Sequence, residues 1–333
     1  MSRDALLQQV SDVLERAGFF VSDRCDVRPR SFDLAARRDQ LLLLLKVLSN
    51  IDGLSVEIAN EIRRLANHLI GYPLVIGEKT RDKLLENGAV YIRYGIPSIN
   101  VRTLYDYFVE DVPPLVYAAP GGLYVSIDDD VLREARTDKR ISLGALALEL
   151  GVSRRTISKY EEGMDATIKI ALKLESILDM PLACPIDLLY SRSQNELQLC
   201  LDSLSLMVRD VLQILVDIGF DVLPIAHAPF NALSQDDTIT ILTGISKYTD
   251  TMIKRARLMS NISNVARTQS VFIVEGRSRT SQIDDTVLVE KDELDELDDS
   301  TDFISLIQDK KSKSHKFYIE PQTINSVLSI KEV

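Results

Sequence analysis

The chain has no tryptophan, three histidines and three cysteines in 333 residues. Each scarcity removes a class of chemistry. His68, His227 and His315 stand apart with no second ligand at metal spacing, which excludes a multi-histidine metal cage and a histidine-centred triad. Cys25, Cys184 and Cys200 are odd in number and lack paired spacing. They point to a reducing compartment and exclude a disulfide framework or a cysteine-rich zinc site. No apolar run exceeds the five residues of Leu41–Leu45, far short of the ~18–20 that a membrane-spanning helix needs. The opening MSRDALLQQV lacks an apolar signal core. A cytoplasmic protein with no membrane partner, no metal and no cofactor is expected. Positive charge is in deficit too, with 39 Lys+Arg against 50 Asp+Glu and a net charge of −11. Any nucleic-acid role must then rest on a local basic patch.

What is present is enough apolar residue, 45%, to bury cores in two or three domains. DALLQQVSDVLERAGF carries Leu6, Val10, Val13, Leu14 and Ala17 at helical spacing and stops at Gly18. FFVSDRCDV, SFDLAAR and QLLLLLKVL read as three strands, the last buried on both faces. A helix follows over about 54–69, then strands at Pro73-Leu-Val-Ile and Ala89-Val-Tyr-Ile and a helix at NVRTLYDYFV. From about Asn195 the order recurs. Gly18-Phe19 and Val21 match Gly219-Phe220 and Val222; Phe32, Asp39, Leu44 and Asp52 match Phe230, Asp237, Leu242 and Asp250; Ile76, Glu78 and Val90 match Ile273, Glu275 and Val287. A slow drift in offset is what small loop insertions produce, so an internal duplication is expected. The expected division is 1–112, a linker with a short strand at 113–127, a helical domain at 128–190, the second α/β copy at 195–316 and a tail at 317–333. Gln282–Asp302 is acidic and reads as a solvated face, and Lys310, Lys311, Lys313 and Lys316 as an exposed basic patch.

The helical segment carries the chemistry. Ser142 can cap a helix to about Leu150, Gly151 suits a left-handed exit, and Ser153 can cap a second helix through about Glu162, ended by Gly163. Two helices crossing closely need a small residue at the crossing, glycine at the turn and an apolar residue midway along the second helix. Ala147, Gly151 and Ile157 meet those needs, with Leu146, Leu150 and Val152 completing the core. The second helix would present Ser153, Arg154, Arg155, Thr156, Ser158 and Lys159 to a major groove, where arginine can pair bidentately with guanine. Residues 131–160 hold seven Arg and Lys against three Asp and Glu. Ser142, Arg133, Lys139 and Arg140 are the expected phosphate contacts. A helical protein-interaction module is the alternative for the same residues.

GVSRRTISKYEEG resembles the turn and recognition helix of the Cro/C1-type helix-turn-helix of phage repressors, and the resemblance spans Asp128–Tyr190. It implies a five-helix DNA-binding domain. Leu143 departs from it, standing where the family often places a phosphate-touching Gln. With PPLVYAAPGGLYVSID leading into the motif and an α/β domain on each side, nearly the whole chain resembles an archaeal family of helix-turn-helix transcriptional regulators. The resemblance implies a transcriptional regulator that binds double-stranded DNA, and it supplies neither target gene nor ligand. A homodimer is expected because one reader supplies too few base contacts for specificity, and α/β domains that have shed catalysis leave room for an effector or protein partner.

The N-terminal order, with Asp33 in SFDLAAR and Lys46 ending the next strand, resembles the restriction-endonuclease and Holliday-junction-resolvase fold. Such enzymes hold a divalent metal on an Asp and on an acid two residues before the Lys. That acid position is Leu44, and the second copy has Asn231, Leu242 and Gly244 at the three places. The expected fold class is therefore α/β plus all-α: a central helix-turn-helix domain between two degenerate nuclease-like domains. A structure-specific nuclease acting through the first domain is the competing reading.

Overall fold

A computed structural model of the protein describes residues 2–28, 30–189 and 205–317, with side chains to residue 312. The expected link at 191–194, Cys200 and residues 318–333 lie outside the described residues, as do the side chains of Lys313, His315 and Lys316. Two compact units divide the chain at 1–198 and 199–333.

The first unit begins with α1 (Arg3–Arg16), capped by Ser2, and continues through β1 (Phe20–Val21), β2 (Leu34–Arg38), β3 (Leu41–Asn50), α2 (Val56–His68), β4 (Tyr72–Lys79), β5 (Ala89–Arg93), β6 (Ile96–Ile99) and α3 (Val101–Phe108). Alternate residues of a strand face opposite sides. On β3, Leu43, Leu45 and Val47 join Leu6, Val10 and Leu14 of α1 in one core, which leaves Leu44 and Lys46 on the other face. The sequence reading misses β6. IPSI is short and interrupted by Pro97, yet it lies between β4, parallel, and β5, antiparallel.

The expected linker holds two strands rather than one. β7 (Val116–Ala119) and β8 (Gly122–Val125) form an antiparallel hairpin, and β7 adds to β5 in parallel. Four helices follow: α4 (Asp129–Asp138), α5 (Leu143–Leu150), α6 (Arg154–Tyr160) and α7 (Ile168–Leu178), with β9 (Ala166–Thr167) before the last. The expectation of five helices is thus corrected to four among the described residues of 128–189. After α7 the segment with Pro181 and Pro185 runs extended, because proline cannot donate to a helix. Ile127 bridges Ala183, and Cys184 N–H donates to Ser126 carbonyl at 2.8 Å. The sheet order of the unit is β1-β2-β3-β4-β6-β5-β7-β8-β9.

The second unit contains α8 (Leu206–Asp217), β10 (Asp221–Pro224), β11 (Ala232–Gln235), β12 (Thr240–Lys247), α9 (Asp250–Ala266), β13 (Gln269–Glu275), β14 (Gln282–Ile283), β15 (Thr286–Glu290), α10 (Lys291–Leu294) and α11 (Ser300–Phe317). Its sheet order is β10-β11-β12-β13-β15-β14, the order and strand directions of β1-β2-β3-β4-β6-β5. Register agrees residue by residue. Leu34 faces Leu45 as Ala232 faces Thr243, and Val47 faces Ile76 as Ile245 faces Ile273. One matched pair is corrected: Val90 lies on β5, whereas Val287 lies on β15, in the position of β6, because the second unit has a shorter connection after β13. Lys310 and Lys311 do not form an exposed patch. Lys310 Nζ donates to Leu288 carbonyl at 3.0 Å and to Glu293 at 2.6 Å, and Lys311 donates to Gln269.

Candidate nucleic-acid interface

Side-chain caps fix both helices of the motif. Ser142 Oγ accepts from Ala145 N–H at 3.1 Å and Ser153 Oγ from Thr156 N–H at 3.1 Å, each satisfying a donor that a helix start leaves without a partner. Between them Gly151 adopts φ +71°, a left-handed conformation that glycine takes without a Cβ clash. Val152 N–H then returns to Ala147 carbonyl at 3.0 Å, which closes the turn. Ile157 is fully buried and joins Leu146, Ala147, Leu150, Leu132 and Leu174 in one core. The second helix is a little shorter than expected, ending at Tyr160.

Burying Ile157 turns the opposite face outward. Arg154, Arg155 and Lys159 are exposed and make no ion pair among the described residues, while Thr156 and Ser158 are half-buried at its edge. Ser153 and Thr156 hydroxyls lie 2.9 Å apart, and Ser158 donates to Glu162 at 3.1 Å. Arg154 folds back over the start of α5. A Cβ on Gly144 would come within 2.7 Å of its Nε. Lys139 and Arg140 are exposed after α4, with Arg140 at φ +54°. Two cations counted in the patch are engaged within the domain, Arg133 while still exposed and Arg136 largely buried. Arg133 donates to Asp130 at 2.9 Å and to the Glu161 carbonyl. Arg136 Nε meets Glu161 at 2.5 Å, its side chain 15% exposed and the carboxylate 9%, and its Nη1 donates to Ile141 carbonyl at 3.1 Å. This ion pair ties α4 to the end of α6 and so orients the outer face. Sequence reasoning missed it, because partners twenty-five residues apart leave no local pattern.

The motif is fastened to the sheet at its other end. β9 pairs with β8, Tyr124 opposite Thr167 and Val125 opposite Ala166. Asp165 accepts from Ser126 at 2.7 Å and from Tyr117, whose hydroxyl pKa is pushed up to about 12 by burial and then by the carboxylate. Leu188 enters the core of the N-terminal sheet, and Tyr107 donates to Asp187 at 3.2 Å.

The nuclease-like positions present a different picture. Asp33 is fully buried, and its Oδ1 takes Arg30 Nε at 2.5 Å and Arg3 Nη2 at 2.6 Å while Oδ2 takes Val47 N–H at 2.8 Å. Lys46 Nζ donates to Arg30 carbonyl at 2.6 Å, and burial pulls its pKa below the ordinary lysine range, with Asp33 opposing. Leu44 is buried and offers no oxygen. These residues do not fit a divalent metal, which needs free carboxylate oxygens; two guanidinium groups occupy Oδ1 of Asp33 and the Val47 amide its Oδ2. No cluster of three metal-ligating side chains occurs among the described residues, and no described helix is long and apolar enough to cross a membrane.

Comparison with known proteins agrees with both halves of this geometry. Residues 3–114 match the PD-(D/E)XK superfamily domain and residues 132–183 the helix-turn-helix family. No solved structure matches the chain. A protein of Methanococcoides burtonii is 56% identical over 95% of this chain and 99% of its own length. Relatives from Methanocella arvoryzae and Halobacterium salinarum are 51% and 46% identical over 94% and 93% of this chain, and 98% of each relative is covered. Each is named a "Putative HTH-type transcriptional regulatory protein". At that identity over nearly full length, with the capped helix pair in place, the chain belongs to this archaeal family of helix-turn-helix proteins.

Proposed function

We propose that the protein is a sequence-specific, DNA-binding transcriptional regulator that inserts α6 into the major groove. The observation that carries this reading is the outer face of α6, where Arg154, Arg155 and Lys159 are exposed and meet no carboxylate among the described residues of an acidic chain. Ser153, Thr156 and Ser158 line the same helix as shorter base or phosphate contacts, and the exposed Ser142, Lys139 and Arg140 supply further phosphate contacts. Arg133 would have to leave Asp130 and the Glu161 carbonyl to join them. Replacing Arg155 with Ala should cost on the order of 1–3 kcal/mol of binding and relax base preference, whereas losing a phosphate contact lowers the salt slope by about one. Anisotropy titrations against a selected operator at several salt concentrations separate the two. Unchanged binding by an R154A/R155A/K159A variant would sink the assignment.

The functional division follows the expected boundaries: a nuclease-like domain to residue 112, a connecting segment to 127, the reader at 128–190 and a second nuclease-like domain at 195–316. Their shared strand order and register support descent by internal duplication. With Leu44 in place of an acid and both oxygens of Asp33 taken by Arg3, Arg30 and the Val47 amide, the first domain does not cut DNA. The working unit is a homodimer in the cytoplasm. One helix supplies a few base contacts at ~1–3 kcal/mol each, against the ~4–10 kcal/mol by which specific sites exceed non-specific DNA. The α/β domains supply the dimer contact and a place for an effector or protein partner.

A further inference from the structure

In the second unit Asn231 occupies the place of Asp33. Its N–H donates to Thr243 carbonyl at 2.7 Å and its Oδ1 accepts from Ile245 N–H at 2.8 Å, as Asp33 N–H donates to Leu45 carbonyl and its Oδ2 accepts from Val47 N–H. The lysine position is Gly244, and no side chain fits there: a Cβ would come within 2.6 Å of the Phe272 ring and 2.9 Å of Met259 Sδ. Arg255 of α9 has taken over. Its Nε donates to Pro229 carbonyl at 2.7 Å, much as Lys46 donates to Arg30 carbonyl, and its Nη2 donates to Asn231 Oδ1 at 2.9 Å. The guanidinium lies over the Phe272 ring, 5.4 Å from its centroid.

The two units therefore differ in charge at one address. In the first, two guanidiniums face a carboxylate. In the second, the guanidinium faces a carbonyl and an amide, both neutral, and meets no carboxylate among the described residues. Burial pulls its pKa below the ordinary guanidinium range, and no charged neighbour contributes to that shift. A half-buried cation without a counter-charge is costly, and an anion that completes its hydrogen bonds offsets the cost. A guanidinium fork matches oxyanions best.

We propose that Arg255 is the centre of an oxyanion-binding site, built in the second domain at the position that Asp33 and Lys46 occupy in the first, and taking a phosphate group. That group is either a free phosphate or phosphorylated small molecule, or a phosphate of the nucleic-acid backbone. The site does not depend on the recognition helix.

The test uses the full chain and inorganic phosphate, titrated at constant ionic strength against chloride while Tm is followed. A saturable rise in Tm is expected, since a ligand that binds only the folded state stabilises it by mass action. R255Q should weaken the apparent affinity by about tenfold or more, and R255K, which keeps the charge but not the fork, should fall between. Absence of a saturable rise in the unmodified protein overturns the proposal whatever the variants do, and so does an equal rise in a folded R255Q. Source is settled in the R154A/R155A/K159A background with unrelated duplex DNA. Residual duplex binding whose salt slope falls by about one on adding R255Q assigns the phosphate to the backbone. A phosphate response with no such change assigns it to a free ligand.

Discussion

At the residue scale, buried charge separates the two ends of the first unit. Asp33 is fully buried between Arg3, Arg30 and the Val47 amide, so removing it strands a guanidinium that is itself buried. Asp33→Ala should destabilise the fold by about 3–5 kcal/mol, the cost of breaking a buried pair by removing one partner; urea denaturation measures it, and a loss below about 1 kcal/mol would show that the arginines are solvated instead. The same substitution should change nothing catalytic. Duplex, flap and four-way-junction DNA incubated with Mg²⁺ or Mn²⁺ stay intact with the unmodified protein, and cleavage abolished by Asp33→Ala would overturn the non-enzymatic reading. Cys25 lies beside this cluster, fully buried, and burial pushes its thiol up to about 11. Only the thiolate reacts, so at pH 8 in the folded protein its alkylation, followed by peptide mass spectrometry, should be limited by unfolding.

At the scale of elements, legibility follows sequence distance. The helix pair α5–α6 could be read because its caps, turn glycine, crossing alanine and buried Ile157 fall within about twenty residues, each with its own local signature. Long apolar runs such as that of β3 were legible for the same reason. Pairings across the fold were not: Arg136 with Glu161, Arg3 with Asp33 and Arg255 with Asn231 join residues whose neighbourhood is made only by folding. β6 was missed because four residues with a proline carry no periodicity, and the Val90–Val287 match was misplaced because sequence similarity alone cannot choose between adjacent strands of like composition. One element contact yields a pH prediction. Tyr117 and Tyr107, both raised to about 12 by burial and a nearby carboxylate, favour their neutral forms when folded. Their contribution to stability is present below pH 10 and is lost as pH rises through about 12. Between pH 9 and 12 the fall in Tm should be shallower for Y117F/Y107F than for the unmodified protein; parallel curves would contradict this.

At the scale of the whole molecule, the predicted working form is a pair of chains presenting two readers to a near-palindromic operator. Light scattering of the free protein and footprinting of the bound operator test it together, and a monomer protecting a single half-site at full affinity would refute it. Within each chain the reader is continuous, through β9, β8, β7 and β5, with the sheet of the first domain. A strand ladder resists swivelling far better than a flexible tether, so in a dimer joined through the first α/β domain each arm would behave as one leg of a rigid caliper. Such a gauge has a single opening. Moving the half-sites apart by five base pairs, about half a turn of B-DNA, rotates the second site to the far side of the duplex, where the caliper cannot follow, and affinity should drop to that of a single half-site.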